Sequence, residues 1–463
     1  VFVLVALSLS FSFVRLAVAA DSPPAAADPG LVEQGRYLAA AGDCAGCHGP
    51  SLKGGDPVAT PIGAVYASNI TPDRSTGIGS WTLEQFSDAL RKGRAPGGPL
   101  YPAMPYTAYT GLSDADMRAL YAYFMLGVKA VSNTPPESDL PFPFYRAAMA
   151  PWNALFLTQG QPTGAVSVSG EQRLRGRLLV ETLGHCSACH SPRGTFMQQR
   201  GDRHLAGAMV GGWRAPNITP DATGIGGWSD EKLATFLRTG HTDLAVAAGE
   251  MGTVVSRSLS KLTPGDIGAV VAYLRAVPRV ASQQPARSDT ATAPTAVAGI
   301  ENPTNLTDWQ MQLGHSTRQG DVLYQSACAS CHGVDGKGSA GLVHPSLHLV
   351  NSVSNASAAT LVQVIAHGVD RTVGNRHALM PPFRSTLDDG QIASVANFVR
   401  TQFGGVKSDL SDSQTAAILE GGNATPWPIR YAKPLAIAAI FVFALIPLLI
   451  VWQGSRAFAK RRP

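Results

Sequence analysis

Charge of one sign is scarce in this sequence. Its 37 Lys and Arg stand against 32 Asp and Glu, a formal net charge of +5, and the basic residues are scattered except near the C-terminus. No nucleic-acid groove can be read from such a balance. Cysteine is scarcer still, with six in 463 residues. Their placement leaves no thiol for a disulfide or an iron–sulfur cluster. No two Cys-x-x-Cys pairs lie close together, as a zinc site would want, and a thioredoxin-like centre would need only one pair. Gly and Pro, at 48 and 33, are by contrast plentiful, as in a chain held around prosthetic groups by loops. The length suggests three or so domains.

All six cysteines fall in three copies of one pattern: Cys44-Ala45-Gly46-Cys47-His48, Cys186-Ser187-Ala188-Cys189-His190 and Cys328-Ala329-Ser330-Cys331-His332. Two thiols three positions apart can each add to a haem vinyl group as a thioether. The histidine that follows lies beneath the ring and gives its imidazole to the iron. The pattern predicts three covalently bound haem c groups.

Each motif recurs inside a larger unit. Before it runs a helical stretch with a glycine (Gly35, Gly176, Gly320), and well after it an amphipathic helix with Ser113, Thr263 or Asp388 as N-cap. These later helices place Tyr123, Tyr273 and Phe398 at the same relative position. The first two units also share Asn69-Ile70-Thr71-Pro72-Asp73 before Trp81 and Asn217-Ile218-Thr219-Pro220-Asp221 before Trp228. Each indole is either a donor to a haem propionate or a packing residue. Composition divides the chain into domains at 30–133, 171–280 and 301–405, with an aromatic, Pro-rich connector at 134–170 and an Ala/Thr/Ser/Pro-rich linker at 281–300. The connector reads as a strap across two domains or as a surface for a membrane or partner.

Methionine is the usual second axial ligand when a haem carries electrons. Met104 in Tyr101-Pro102-Ala103-Met104-Pro105-Tyr106 and Met380 in Leu379-Met380-Pro381-Pro382 are each stiffened by a following proline, while Met251 occupies the equivalent loop without one. His367 and His377 are the alternatives for the third iron; His185, His204 and His241 read by default as surface residues. Three six-coordinate irons would serve as wiring and leave none open for catalysis.

Both ends are apolar. Residues 1–20 end in Ala17-Val18-Ala19-Ala20 and read as a signal peptide or an N-terminal anchor, with Arg15 unfavourable to a span. Leu435 to Val451 is an unbroken apolar run, and 434–453 reaches the ~20 residues of a transmembrane helix. Arg456, Lys460, Arg461 and Arg462 follow it, predicting a cytoplasmic C-terminus with the haem domains on the periplasmic side.

From Leu31 to Gln402 the three haem motifs, the two Asn-Ile-Thr-Pro-Asp blocks and the Tyr101–Tyr106 segment resemble the tri-haem cytochrome c subunit of membrane-bound bacterial dehydrogenases that oxidise alcohols, aldehydes, gluconate or fructose. The resemblance implies a mainly α chain of three tandem cytochrome c-type domains, here with a C-terminal transmembrane helix. It implies Cys44, Cys47, Cys186, Cys189, Cys328 and Cys331 as attachment points. His48, His190 and His332 would be proximal ligands, and Met104, Met251 and Met380 distal ligands. Substrate oxidation would belong to a separate molybdopterin, quinoprotein or flavoprotein subunit, with ubiquinone as acceptor and membrane lipid as support. The C-terminal run tilts the reading toward the aldehyde-oxidising branch, whose partners include a small iron–sulfur subunit. The competing readings are a free-standing membrane-anchored carrier feeding a terminal oxidase or reductase, and a haem enzyme with one open iron.

Overall fold

The computed structural model describes residues 28–138, 140–284, 319–339, 344–421 and 426–459. The predicted leader at 1–20, most of the 281–300 linker and the first part of 301–405 lie outside these residues. The described chain is mainly helical, and its strands form four two-stranded antiparallel sheets.

One helix pair is built three times. Pro29–Ala41 packs on Asp114–Ala122, Glu171–Arg177 on Pro264–Ala276, and Gly320–Ala327 on Asp389–Gln402. Local sequence starts these helices cleanly. Ser113 and Asp116 close a capping box, as do Asp388 and Gln391, and Thr263 caps a helix that begins with Pro264. The crossing is so close that one helix must lack a side chain. A Cβ on Gly35 would lie 1.9 Å from Ala119 O and 2.6 Å from Tyr123 Cβ. On Gly176 it would lie 2.0 Å from Ala269 O, and on Gly320 2.2 Å from Ser394 O.

A single hydrophobic core runs through the first two units, from Leu38 and Phe86 to Leu237 and Tyr273, while the third has its own around Tyr324, Val362, Ile392 and Phe403. The first two are also tied by polar contacts. Asp266 accepts from Arg175 Nε and Nη2 at 2.8 and 2.7 Å and from Tyr37 OH at 2.5 Å. The 134–170 connector is a strap. It is pinned by Tyr101 OH to Phe144 O (2.9 Å), Tyr106 OH to Asn153 Oδ1 (2.7 Å), Gly160 N to Thr110 Oγ1 (2.8 Å) and, in the second unit, Trp152 Nε1 to Phe196 O (2.9 Å). Of its aromatics, Trp152 is engaged within the chain, while Tyr145 is 57% exposed.

The expected C-terminal transmembrane helix at 434–453 is not supported, and single-pass anchoring goes with it. A helix does run over Ala432–Ala459. Among the described residues, however, no helix is long and apolar enough to cross a membrane.

The close crossing gives a paired test on one helix contact. Gly176→Ala is expected to destabilise the protein by about 1–3 kcal/mol through overpacking. On the facing helix, a Cβ at Gly268 meets only the flexible end of Gln172, at 3.6 Å. Gly268→Ala should therefore be neutral or stabilise by roughly 0.4–1 kcal/mol. Thermal melts of the two variants should separate in that order.

Candidate haem sites

The three motifs fold into short helices, Cys44–His48, Ser187–His190 and Ala329–His332, the last two preceded directly by Cys186 and Cys328. A Cys-x-x-Cys turn of helix puts both thiols on one side, and each pair divides alike. Cys44, Cys186 and Cys328 are half-buried, and Cys47, Cys189 and Cys331 are exposed. Burial pushes the inner thiols up to about 12. Among the described residues no group of three or more His, Cys, Asp and Glu could hold a metal ion unaided. The donor set fits a porphyrin iron, which brings four ligands of its own.

The histidines are held by an arrangement seen three times. His48 Nδ1 lies 2.7 Å from Ser68 O, His190 Nδ1 2.7 Å from Pro216 O, and His332 Nδ1 3.3 Å from Pro345 O. A carbonyl accepts only, so each Nδ1 carries the proton and Nε2 keeps the lone pair that ligation needs. Burial lowers the pKa of all three rings and favours the neutral form. The carbonyl strand is itself located by a glycine. Gly54, Gly207 and Gly338 donate their N–H to the oxygens of His48, His190 and His332 at 3.0, 2.7 and 2.8 Å. Their φ values are +69°, +85° and +71°. A Cβ on Gly54 would fall 2.4 Å from Ser68 O, and on Gly338 2.2 Å from His344 O. Sequence reasoning missed these glycines because the second motif carries a long insertion before its copy. The Asn-Ile-Thr-Pro-Asp blocks were the available signal, since Asn69 and Asn217 directly follow the two accepting carbonyls. Asn69 Nδ2 reaches Val131 O at 2.8 Å and Asn217 Nδ2 reaches Val280 O at 2.7 Å, locking the strand to the end of each unit.

All three candidate methionines are half-buried but sit on different backbone. Met104 occupies a tight turn, its N–H donating to Tyr101 O at 3.0 Å and its carbonyl accepting from Tyr106 N at 2.8 Å. Met251 is not in a loop; it lies in the first turn of the helix Gly249–Arg257, which Gly252 lets continue where a proline would have interfered. Met380 ends the strand Arg376–Met380, opposite Val369. His377 Nε2 is engaged with Asp370 Oδ1 at 2.8 Å on the exposed face of that hairpin, and His367 is exposed at a helix end.

The first two sites adjoin. Arg257 Nη1 donates to Ala45 O at 2.8 Å, so the helix bearing Met251 is docked on the first attachment motif. Glu250 on the same helix acts electrostatically on Cys47 and Cys189, one thiol from each motif.

Two histidines expected at the surface are packed against other side chains. His185 is half-buried, edge-on to Tyr109 with 5.8 Å between ring centres, and desolvation lowers its pKa to about 4. His204, 7% exposed, lies 2.9 Å from Oε1 of Glu181, which is 0% exposed and also accepts from Tyr273 OH at 2.7 Å. Nothing in the local pattern distinguishes Glu181 from a solvated charge; only the packing does.

A helix pair crossing at glycine, a Cys-x-x-Cys-His turn and a carbonyl-bonded proximal imidazole together define a c-type cytochrome with covalently bound haem. The comparisons agree. Residues 32–126 match the family model described as cytochrome c, and residues 315–399 that of cytochrome C oxidase, cbb3-type, subunit III. The chain is 40% identical over 459 residues to the fructose dehydrogenase cytochrome subunit of Gluconobacter japonicus, covering 96% of this chain and 93% of that one. It is 37% identical to the gluconate 2-dehydrogenase cytochrome c subunit of Pantoea cypripedii, over 85% and 90% of the two chains. To the alcohol dehydrogenase (quinone) cytochrome c subunit of Gluconobacter oxydans it is 36% identical, over 82% and 80%. The chain belongs to the family of electron-transferring cytochrome c subunits of dehydrogenase complexes.

The buried network gives a stability test. Glu181→Ala strands His204 and Tyr273 in the core and is expected to cost about 3–5 kcal/mol, with Glu181→Gln, which can still accept from Tyr273, milder. Urea unfolding of the haem-loaded protein measures both. A Glu181→Ala midpoint matching the parent would rule out a structural role for the network.

Proposed function

We propose that this cytochrome subunit carries three covalent haems and relays electrons from a catalytic dehydrogenase subunit to ubiquinone, outside the cytoplasmic membrane. The threefold recurrence of the proximal cradle carries this reading. In it, Cys44 with Cys47, Cys186 with Cys189 and Cys328 with Cys331 hold the haem vinyl carbons, in units spanning 30–133, 171–280 and 301–405. His48, His190 and His332 present Nε2 to the iron. Met104, Met251 and Met380 close the opposite side. When bound, such a haem supplies a one-electron iron couple whose potential Met/His ligation raises. The residues around it fix the imidazole tautomer and would offer a thioether to the iron, which favours transfer over peroxidase-like chemistry.

The partner is best read as a subunit oxidising a C–OH group, in keeping with the fructose, gluconate and alcohol dehydrogenase subunits to which the chain is similar. The tilt toward an aldehyde-oxidising molybdopterin subunit with an iron–sulfur partner rested on the C-terminal membrane helix and loses its ground with it. Stable co-purification with a catalytic subunit, and ubiquinone-analogue reduction by that complex, separate this role from a free carrier feeding a terminal oxidase or reductase.

Three haems per chain should survive acid–acetone extraction, because thioethers do not dissociate as axial ligands do. A pyridine haemochrome count below three in mature protein would contradict the assignment. Met104→Ala and Met380→Ala should each lower one haem's potential and open its iron to carbon monoxide; Met251→Ala should do the same for the second. An unchanged low-spin spectrum in Met380→Ala would return the third site to His367 or His377.

A further inference from the structure

Among the described residues Arg371 is a buried cation without a counter-ion. It sits on the strand Val369–Val373 of the third unit and is 6% exposed, yet its Nε and Nη1 are buried without a hydrogen-bond partner. Its side chain leaves its own unit. A Cβ on Gly240 would lie 1.5 Å from Arg371 Nη1, and one on Gly252 3.8 Å from its Cδ. The guanidinium therefore enters the second unit, between the glycine that ends the helix Asp230–Thr239 and the residue after Met251. His241 Nε2, beside it, is likewise buried and unpartnered, and Arg371 and Arg376 both disfavour its protonation.

The neighbouring carboxylates are committed elsewhere. Asp243 pairs with Lys232 at 3.0 Å, and Asp370 with His377 on the opposite face of the hairpin. Glu250 acts electrostatically on Asp43, Cys47 and Cys189, at the two attachment motifs. A guanidinium kept out of water with two donors idle is unfavourable unless an anion completes it, and its planar fork matches a carboxylate. Haem c brings two carboxylates of its own, on the propionate arms.

We propose that Arg371, reaching from the third unit, is the counter-ion of a propionate of the second haem, with His241 as a further hydrogen-bonding partner. This rests on haem attachment at Cys186 and Cys189. It makes the hairpin Val369–Met380 part of two sites: Met380 faces the third iron, and Arg371, on the same face of the hairpin, completes the second haem. A positive charge beside a haem edge favours the reduced iron, so Arg371 also raises the potential of the second haem.

The test is potentiometric titration and resonance Raman spectroscopy of the full haem-loaded chain. Arg371→Gln is expected to lower one midpoint potential and shift one propionate bending mode, with the covalent haem count unchanged. Arg371→Lys keeps the charge, so it should largely restore the midpoint while still altering the propionate mode. The affected midpoint should be the one that Met251→Ala also moves. Unchanged midpoints and propionate modes in Arg371→Gln overturn the proposal, and so does a shift confined to the haem that Met380→Ala moves. Should Arg371→Gln lose haem through misfolding, an unaltered propionate mode in Arg371→Lys overturns it by itself. Failure of the underlying haem reading appears separately, as a parent chain without haem at Cys186 and Cys189.

Discussion

The hydrogen bond from each proximal imidazole to a backbone carbonyl is the constraint on which the remaining structure depends. A free imidazole rotates and exchanges tautomers; one bonded through Nδ1 presents a single nitrogen in a single direction. Holding the carbonyl in place requires the glycine turn at Gly54, Gly207 or Gly338, and that turn leaves no room for a Cβ. In the first two units it also requires Asn69 and Asn217, whose amides fasten the strand to the segment after the last helix at Val131 and Val280. The third unit has no such asparagine, and its Nδ1 contact is the longest, 3.3 Å against 2.7 Å in the others. The third histidine is therefore the least firmly held of the three.

Helix packing does the second part of the positioning. Where Gly35, Gly176 and Gly320 let two backbones approach, the aromatic at the same height on the partner helix is pressed against the glycine, and the motif that follows the first helix is carried to one place each time. The first two units then fuse into one core, so their relative placement is as fixed as any interior contact. Asp266 secures that junction. With Arg175 and Tyr37 both donating to it, its pKa lies below the usual carboxylate value, the Arg175 bonds being the largest cause. A lowered pKa means this stabilisation is present above the unfolded carboxylate's range and is lost only as pH falls through the folded value.

Periodic features were legible in the sequence: the capped helices, and the glycine and aromatic that meet between them. Features set by chain segments distant in sequence were not. His204 reads as a surface residue until Glu181 and Tyr273 close around it. Met251 reads as a loop residue, because nothing short of the packing says that Gly249 starts a helix there. The apolar stretch at 434–453 reads as a span from composition, yet among the described residues no helix is long and apolar enough to cross a membrane.

The helix Gly249–Arg257 is where the three units meet. Its C-terminal Arg257 grips the backbone of the first attachment motif, its first turn carries the methionine assigned to the second haem, and Gly252 receives the side chain that arrives from the third. The second unit is thus in contact with both of the others through this one helix. Electron tunnelling falls steeply with distance, so a relay benefits from rigid spacing more than from any particular contact. A nine-residue helix clamped at both ends supplies that spacing. The second unit departs from the other two in its methionine backbone and in the insertion before its glycine turn. Those departures fall where it must accommodate two neighbours, while the proximal cradle it shares with them is kept.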